Sequence, residues 1–354
     1  MKNDKRSPLI AETLRGLKKL DDRVYMLDYR FPYALDKLLR RGVKGMAGLT
    51  LFAQRHVHTA ARLHPLPGGF GCSTFNARTP EGKVLMGRNF DYKDSVCLVV
   101  FTSPEGGYRS VSVTTGTFLL YGIRRQRLDR AAEPLRLMGA PYVCMDGLNE
   151  AGLVAAILEI KAKATRQSTG RTPITPPVAV RAILDSCATV DEALTLLSAY
   201  DMRDLLFTNY HYQLADARGN TAIVEYVGGE MHVIRPESAG GCLALTNFFL
   251  TEGGDNRREM GRDRFETIRD TLERGRGEMT EAEAMALLQR CELCYHHKWM
   301  PHMVTTVWSA VYNCTERTME LCAGMEHSRL WRFSPTEPGR AVPVINGKGG
   351  ANAR

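Results

Sequence analysis

Residues 69–92 restrict the fold of this chain more than any other segment, because they combine a cysteine, a tight turn and two charged side chains at hairpin spacing. Thr-Pro-Glu-Gly at 79–82 has turn chemistry, residues 75–77 before it alternate as a β-strand does, and residues 84–86 after it form a second apolar run. The sequence therefore predicts two antiparallel strands joined at this turn. Cys72 opens the first strand, and Arg88 and Asp91 lie in the second, which returns them beside the thiol.

A thiol beside a fixed cation and a carboxylate suits nucleophilic catalysis. Arg88 favours the thiolate form of Cys72, and Asp91 can orient a base. Cleavage of the Gly71–Cys72 bond would give Cys72 a free α-amine, whose ordinary pKa of about 7.7 to 8.0 lets it act as that base. Gly71 suits such a cut because a residue without Cβ tolerates strained backbone. Cys72 is therefore the candidate nucleophile, and a buried inert thiol is the alternative.

Four separate blocks of the chain resemble one family. Cys72, the run Gly-Arg-Asn-Phe-Asp-Tyr at 87–92, residues 146–153 and residues 245–247 follow the order and spacing of the choloylglycine hydrolase and acid ceramidase group of N-terminal-nucleophile amidases. The resemblance covers residues 70–335. It implies an α+β fold, the four-layer αββα sandwich, and hydrolysis of a linear, non-peptide amide C–N bond. We expect no cofactor and no metal.

The resemblance also implies roles for individual residues. Arg88 would hold the thiolate and the substrate side of the site, and Asp91 would accept from the α-amine of Cys72 and orient it. Asn247 matches the asparagine that donates to the oxyanion, and one such donor is worth roughly 3 kcal/mol to the barrier. Arg264 precedes a phenylalanine, as the late arginine of the family does.

Glu159 departs from one branch of the family, which has asparagine at this distance from Asp146. An ionised carboxylate cannot donate to an oxyanion. Glu159 would instead hold or protonate the leaving amine, which resembles the acid ceramidase and N-acylethanolamine amidase branch. A structural ion pair of Glu159 with Arg88 or Lys161 is the alternative.

Apolar periodicity and Pro/Gly breaks divide the chain into three parts. Residues 1–71 are predicted to be a helical leader, the candidate pro-segment, which ends in a Pro/Gly linker. Residues 72–338 are predicted to be the catalytic domain, and residues 339–354 a flexible tail. Helices within the catalytic domain are predicted at 177–200 (two helices), 262–274 and 280–291.

Composition narrows the class of protein. The chain is 44% hydrophobic and 24% charged, as in ordinary globular proteins. Its net charge of +8 comes from clusters of basic residues without interleaved aromatics, so we expect no nucleic-acid partner.

The absence of a signal sequence or membrane span, together with nine irregularly spaced cysteines, predicts a cytoplasmic protein. The expected partner is a small-molecule N-acyl amide. The apolar leader is the one feature that suggests a lipid-like substrate. The sequence does not decide whether the chain forms a homo-oligomer.

Two other chemistries compete for the same residue types. Cys291, Cys294, His296 and His297 carry metal ligands, but they overlap a predicted helix and have no second pair at zinc spacing. A histidine of the leader would instead give a Cys–His dyad with the nucleophile. The leader histidines that could serve are His56, His58 and His64.

Two further alternatives concern the activity itself. Acyl transfer to an amine, as in the related isopenicillin N acyltransferase group, which includes acyl-CoA:6-aminopenicillanic acid acyltransferase, would use the same acyl-enzyme on Cys72. A non-catalytic scaffold would keep Cys72 internal and use the helical leader for association. The sequence does not separate water from an amine as the acyl acceptor.

Overall fold

The computed structural model describes residues 6–59, 71–119, 128–130, 134–204, 208–238, 241–296 and 303–344. The described strands are β1 (Leu17–Lys19), β2 (Val24–Tyr29), β3 (Cys72–Arg78), β4 (Val84–Lys93), β5 (Cys97–Thr102), β6 (Ser110–Thr115), β7 (Asp146–Asn149), β8 (Val154–Ile160), β9 (Thr172–Ile174), β10 (Tyr200–Met202), β11 (Asn209–Ala215), β12 (Thr221–Val227), β13 (Glu230–Ile234), β14 (Ala244–Leu245), β15 (Cys294–His296), β16 (Met303–Asn313), β17 (Thr318–Ala323), β18 (Leu330–Phe333) and β19 (Val342–Val344). The described α-helices are α1 (Arg6–Arg15), α2 (Leu35–Arg41), α3 (Met46–Val57), α4 (Gly116–Leu119), α5 (Pro176–Ser186), α6 (Val190–Ser198), α7 (Arg262–Arg274) and α8 (Glu281–Arg290). Short 3-10 helices cover Leu128–Arg130 and Pro134–Val143.

Most of these strands belong to two large sheets. The nine-stranded sheet has the order β1-β2-β5-β6-β7-β8-β11-β12-β13. The eight-stranded sheet has the order β14-β3-β4-β16-β17-β18-β19, with β15 paired to β16. The main apolar core joins residues of both sheets, such as Val113 of the first and Trp308 of the second. The two sheets therefore pack face to face.

Helices cover the outer faces of this pair of sheets. α5 packs on β7 and β8 of the nine-stranded sheet, and α7 and α8 pack on β3, β4 and β16 of the eight-stranded sheet. A second apolar core, which includes Phe75, Val311, Ile268 and Leu287, lies under α7 and α8. The fold is thus α+β, a four-layer αββα sandwich, as the sequence predicts.

The predicted helices of the catalytic domain are present, with the expected caps. The Thr189 hydroxyl accepts from the backbone N–H of Glu192 at the start of α6. Thr280 and Glu283 form a capping box at the start of α8. These side-chain caps explain why the sequence places both helix starts correctly.

The leader contains the predicted helices, but residues 17–19 and 24–29 are strands instead. Between α1 and α2 the chain forms β1 and β2, and β2 pairs in parallel with β5 of the nine-stranded sheet. All but one of the β2 residues are buried, and the aromatic rings of Tyr25 and Tyr29 lie in the main core. The leader is therefore built into the sandwich. Sequence periodicity does not indicate this strand, because it is short, lies between two helix-like runs and pairs with a strand distant in sequence.

The predicted tail also differs in part. Residues 342–344 form β19, which pairs with β18 at the edge of the eight-stranded sheet. Residues 345–354 lie outside the described part of the chain. All nine cysteines are free thiols, most of them buried, as expected. In the described residues, no helix is both long and apolar enough to cross a membrane.

Candidate active site

The hairpin predicted around Cys72 is present. β3 and β4 pair antiparallel, with Cys72 directly opposite Phe90. Residues 79–83 form the turn that joins them, with Gly82 in the left-handed region at φ 83°. The six predicted site residues are buried, with exposed fractions of 1% for Cys72, 0% for Arg88, 0% for Asp91, 3% for Glu159, 1% for Asn247 and 5% for Arg264.

Asn247 links the nucleophile to the rest of the site. Its Oδ1 accepts from the backbone N–H of Cys72 at 2.7 Å and from Nη2 of Arg264 at 3.1 Å. Its Nδ2 donates to the backbone carbonyl of Glu159 at 2.8 Å. These partners fix the orientation of the amide, because two donors face the oxygen and an acceptor faces the nitrogen. Asn247 therefore holds the nitrogen that would become the α-amine.

Asp91 belongs to the same network through its carboxylate. Oδ2 accepts from Nη1 of Arg264 at 2.7 Å, and Oδ1 accepts from the Thr306 hydroxyl at 2.5 Å. Burial raises the pKa of Asp91 to about 6, although Arg264 and Thr306 lower it. We expected Asp91 to bind the nitrogen of Cys72. In the uncleaved chain that nitrogen donates to Asn247, and Arg264 links Asn247 to the carboxylate of Asp91.

Arg88 is held by a separate buried network. Its Nε donates to Oδ2 of Asp146 at 3.1 Å, and its Nη2 donates to the carbonyl of Ile157 at 2.8 Å. Asp146 also accepts from Trp308 and Tyr312. Asp146 therefore anchors the guanidinium of Arg88 beside the nucleophile.

Opposing effects act on the pKa of the Cys72 thiol. Burial raises its pKa above the ordinary value, the charge of Arg88 lowers it, and the charge of Asp91 raises it. The net shift is upward in the uncleaved chain. A buried thiol of raised pKa needs a nearby base to become a thiolate at neutral pH.

Gly71 leaves no space for a side chain. A Cβ there would lie 2.5 Å from Cδ1 of Leu293, 3.1 Å from Nη2 of Arg264 and 3.3 Å from Oδ2 of Asp91. The residue before Cys72 is thus packed against the Arg264–Asp91 ion pair, whose arginine also donates to Asn247. The cut between Gly71 and Cys72 stays a prediction.

Glu159 lies at the end of β8, and its contact with Asn247 is through its backbone. Its carboxylate raises the pKa of Lys161, which burial lowers. Lys161 is therefore close enough to interact with the charge of Glu159, and the role of Glu159 in the reaction stays a prediction. Across the sheet, Glu159 is directly opposite Tyr210.

Thr306 and Tyr210 are site residues that the sequence did not indicate. Thr306 is the hydroxyl donor to Asp91. The hydroxyl of Tyr210 is buried and has no hydrogen-bond partner among the described residues. Burial raises the pKa of Tyr210, and the nearby charges of Glu159 and Cys72 raise it further, so the phenol stays a donor. Only strand register could have revealed either residue.

The two leader histidines within the described residues pack against aromatic rings. The His56 ring packs at 4.2 Å from the Phe52 ring, and the His58 ring packs edge-on against Phe31. His64 lies outside the described residues.

The cysteine–histidine run after α8 is not helical throughout. α8 ends at Arg290, and Cys294–His296 form a strand, so the predicted helix does not extend over this run. Cys291 is buried and Cys294 exposed. His297 lies outside the described residues.

Most of the chain matches the model of a known protein family. Residues 77–328 match the family described as acyl-coenzyme A:6-aminopenicillanic acid acyl-transferase, so the match begins just after Cys72 and takes in well over half of the chain.

Three solved structures are similar. Penicillin V acylase from Agrobacterium tumefaciens has a TM-score of 0.52 and 20% identity, over 75% of this chain and 87% of that one. A mutant of the conjugated bile acid hydrolase from Clostridium perfringens has a TM-score of 0.54 and 14% identity, over 80% and 99%. The N-acylethanolamine-hydrolyzing acid amidase ortholog of Caenorhabditis elegans has a TM-score of 0.43 and 18% identity, over 69% and 93%.

The first two structures share the fold at low identity, and the family match spans both sheets and the helices on their outer faces. The chain therefore belongs to the acyl-coenzyme A:6-aminopenicillanic acid acyl-transferase family and has the fold of the N-terminal-nucleophile amidases.

Proposed function

We propose that the protein is a self-processing cysteine amidase, which cleaves its own Gly71–Cys72 bond and then hydrolyses the linear amide bond of a small N-acyl compound. One observation carries the proposal. The backbone nitrogen of Cys72 is held by Asn247, which Arg264 connects to Asp91, so the atom that would become the general base already has its partners. A merely structural cysteine has no need of this arrangement.

The first reaction is self-cleavage. The Cys72 thiol loses its proton and adds to the carbonyl carbon of Gly71, the C–N bond breaks, and the nitrogen of Cys72 takes up the proton. A thioester then joins Gly71 to the sulfur. Water hydrolyses it, which gives a carboxylate on Gly71 and restores the thiol on a free α-amine. Close packing around Gly71 would hold its carbonyl beside the sulfur.

Turnover would use the same atoms. The α-amine of Cys72 accepts the thiol proton, and the thiolate adds to the amide carbon of the substrate. The second N–H of Asn247 Nδ2 is the candidate donor to the oxyanion, and Arg88 stabilises negative charge nearby. The leaving amine receives a proton from the α-ammonium or from Glu159. Water then releases the acid from the acyl-enzyme.

Acyl transfer is the second candidate, because the matching family is described as an acyl-transferase. The acyl-enzyme on Cys72 is common to both reactions. Only the second step differs, since an amine replaces water as the acceptor. The free state of all nine cysteines supports a reducing compartment, and we propose the cytoplasm.

The test is product analysis with a panel of N-acyl amides that vary in acyl length and amine, with and without a second amine. We expect free acid and amine from at least one substrate, and an acyl adduct on the fragment that begins at Cys72. The Cys72→Ala variant should give neither, whereas Cys294→Ser, which changes an exposed thiol, should match the parent. Undiminished turnover by Cys72→Ala would contradict the proposal. Transfer to the added amine in preference to water would establish the acyl-transferase instead.

A further inference from the structure

A second cluster of reactive side chains lies beside the site. Glu292 follows α8, Cys322 lies in β17, and His327 lies in the turn before β18. One ligand atom of each, a carboxylate oxygen, the sulfur and a ring nitrogen, lies within 4.8 Å of the other two. Nε2 of His327 is 2.7 Å from Oε1 of Glu292, and the Ser309 hydroxyl donates to the same oxygen at 3.3 Å. Two segments of the chain, residue 292 and residues 322–327, thus bring metal ligands together.

The burial of the cluster fits a metal site better than a surface ion pair. The side chains of His327 and Glu292 are only 14% and 12% exposed, and Cys322 is fully buried. A thiolate, an imidazole and a carboxylate form the donor set that Zn²⁺ accepts in tetrahedral geometry, whereas Mg²⁺ and Ca²⁺ prefer oxygen ligands alone. Ser309 would orient the carboxylate as an outer hydrogen-bond partner.

The cluster is connected to the candidate active site through one segment. Leu293, next to Glu292, donates its N–H to the Thr306 hydroxyl at 2.9 Å and accepts from the Thr306 N–H at 2.9 Å. The same hydroxyl donates to Asp91. The side chain of Leu293 is also the closest neighbour of a Cβ placed on Gly71. A metal on Glu292 would therefore hold the segment that supports Asp91 and packs against Gly71.

We propose that Glu292, Cys322 and His327 form a Zn²⁺ site that fixes the 292–293 segment beside the nucleophile. On binding, Cys322 releases its thiol proton to solvent, and His327 binds through Nε2 as a neutral imidazole with its proton on Nδ1. The fourth position is left to water. The site is separate from the chemistry at Cys72, so it stands whether or not the chain is an amidase.

The first test is metal binding to the full chain after treatment with a chelator. We expect Zn²⁺ to bind at one ion per chain, and Co²⁺ to give a sulfur-to-metal charge-transfer band with tetrahedral visible absorption. Cys322→Ser should abolish the band. His327→Gln keeps a hydrogen-bonding side chain of similar size, so it should fold, and it should weaken binding at least about tenfold. Cys294→Ser, in the neighbouring strand, is the matched control and should bind as the parent does.

The second test locates the effect. Zn²⁺ should slow backbone hydrogen exchange at residues 292–296 and 303–306 of the parent, and should not slow it in His327→Gln. Two results would overturn the proposal: a parent that binds no stoichiometric Zn²⁺, or a charge-transfer band that Cys294→Ser removes and Cys322→Ser keeps.

Discussion

Cys72 illustrates how one residue can depend on partners from three other parts of the chain. Arg88 and Asp91 come from the adjacent strand, Asn247 follows β14, and Arg264 lies in α7. The sequence indicated these residues because their motifs are local. It could not indicate Thr306, whose role depends on the register of β16 against β4, where it lies opposite Asp91.

The pH dependence of self-cleavage should report on Asp91. Burial raises its pKa to about 6, so it is ionised above that pH and neutral below it. Neutral Asp91 loses its charge-assisted hold on Arg264, and the cleavage rate should fall as the pH drops through about 6. The pKa of the Cys72 thiol is shifted upward, so the thiolate forms at higher pH. The acid limb of the pH–rate profile, set by Asp91, is therefore separate from the alkaline limb, set by the thiol. Intact mass over time at a series of pH values measures the rate.

The Thr306→Val variant tests whether Asp91 controls the fall in cleavage rate at low pH. Loss of the hydroxyl that stabilises the charged carboxylate should move the acid limb upward by roughly one pH unit. Thr305→Val changes the neighbouring residue, which pairs with Tyr92 instead of Asp91, and should leave the limb in place. An acid limb that does not move in Thr306→Val would show that Asp91 does not control it.

Asp146→Asn should reveal the anchoring of Arg88. The ion pair is fully buried, and removal of one charge leaves the other unpaired, which costs about 3 to 5 kcal/mol of the free energy of unfolding. Glu150→Gln breaks the partly exposed pair with Arg109 and should cost less than about 1 kcal/mol. Denaturant titration of both variants measures the difference. Equal losses would contradict a special role for Asp146.

At the scale of elements, the β3–β4 hairpin was predictable because turn chemistry and alternation agree at the same place. The helices α6 and α8 were predictable from their caps. β2 was not, because it is short, lies between helices and pairs in parallel with a strand about seventy residues away. The same limit hid the contacts of Asp146 to β4 and β16, which cross between the two sheets.

Gly71→Ala should slow cleavage by about tenfold to a hundredfold. The added methyl group meets Leu293 first and then Arg264 and Asp91, so it displaces the groups that position the reacting bond. Leu293→Ala in the same chain opens the closest contact and should restore part of the rate. Cleavage of Gly71→Ala at the parent rate would mean that packing around residue 71 does not position the bond.

At the scale of the whole molecule, the leader should stay bound after cleavage. β2 is hydrogen-bonded to β5, and the leader residues Leu38, Leu49, Phe52 and Val57 are buried in the main core. The Tyr33 hydroxyl also donates to Asp185 of α5 at 2.6 Å. Release of the leader would expose this core to water.

Native size-exclusion chromatography followed by denaturing mass analysis tests the retention. Both fragments should elute in one native peak and separate only on denaturation. Recovery of a folded, active fragment 72–354 without the leader would contradict it, and would make the leader a removable pro-segment.

The central claim is that Cys72 becomes an N-terminal nucleophile, and the intact mass of the purified protein tests it most directly. The account predicts two fragments that divide between Gly71 and Cys72 in the parent, and a single unbroken chain in Cys72→Ala. A parent that stays unbroken at every pH, or a Cys72→Ala variant that still divides at this bond, would contradict it.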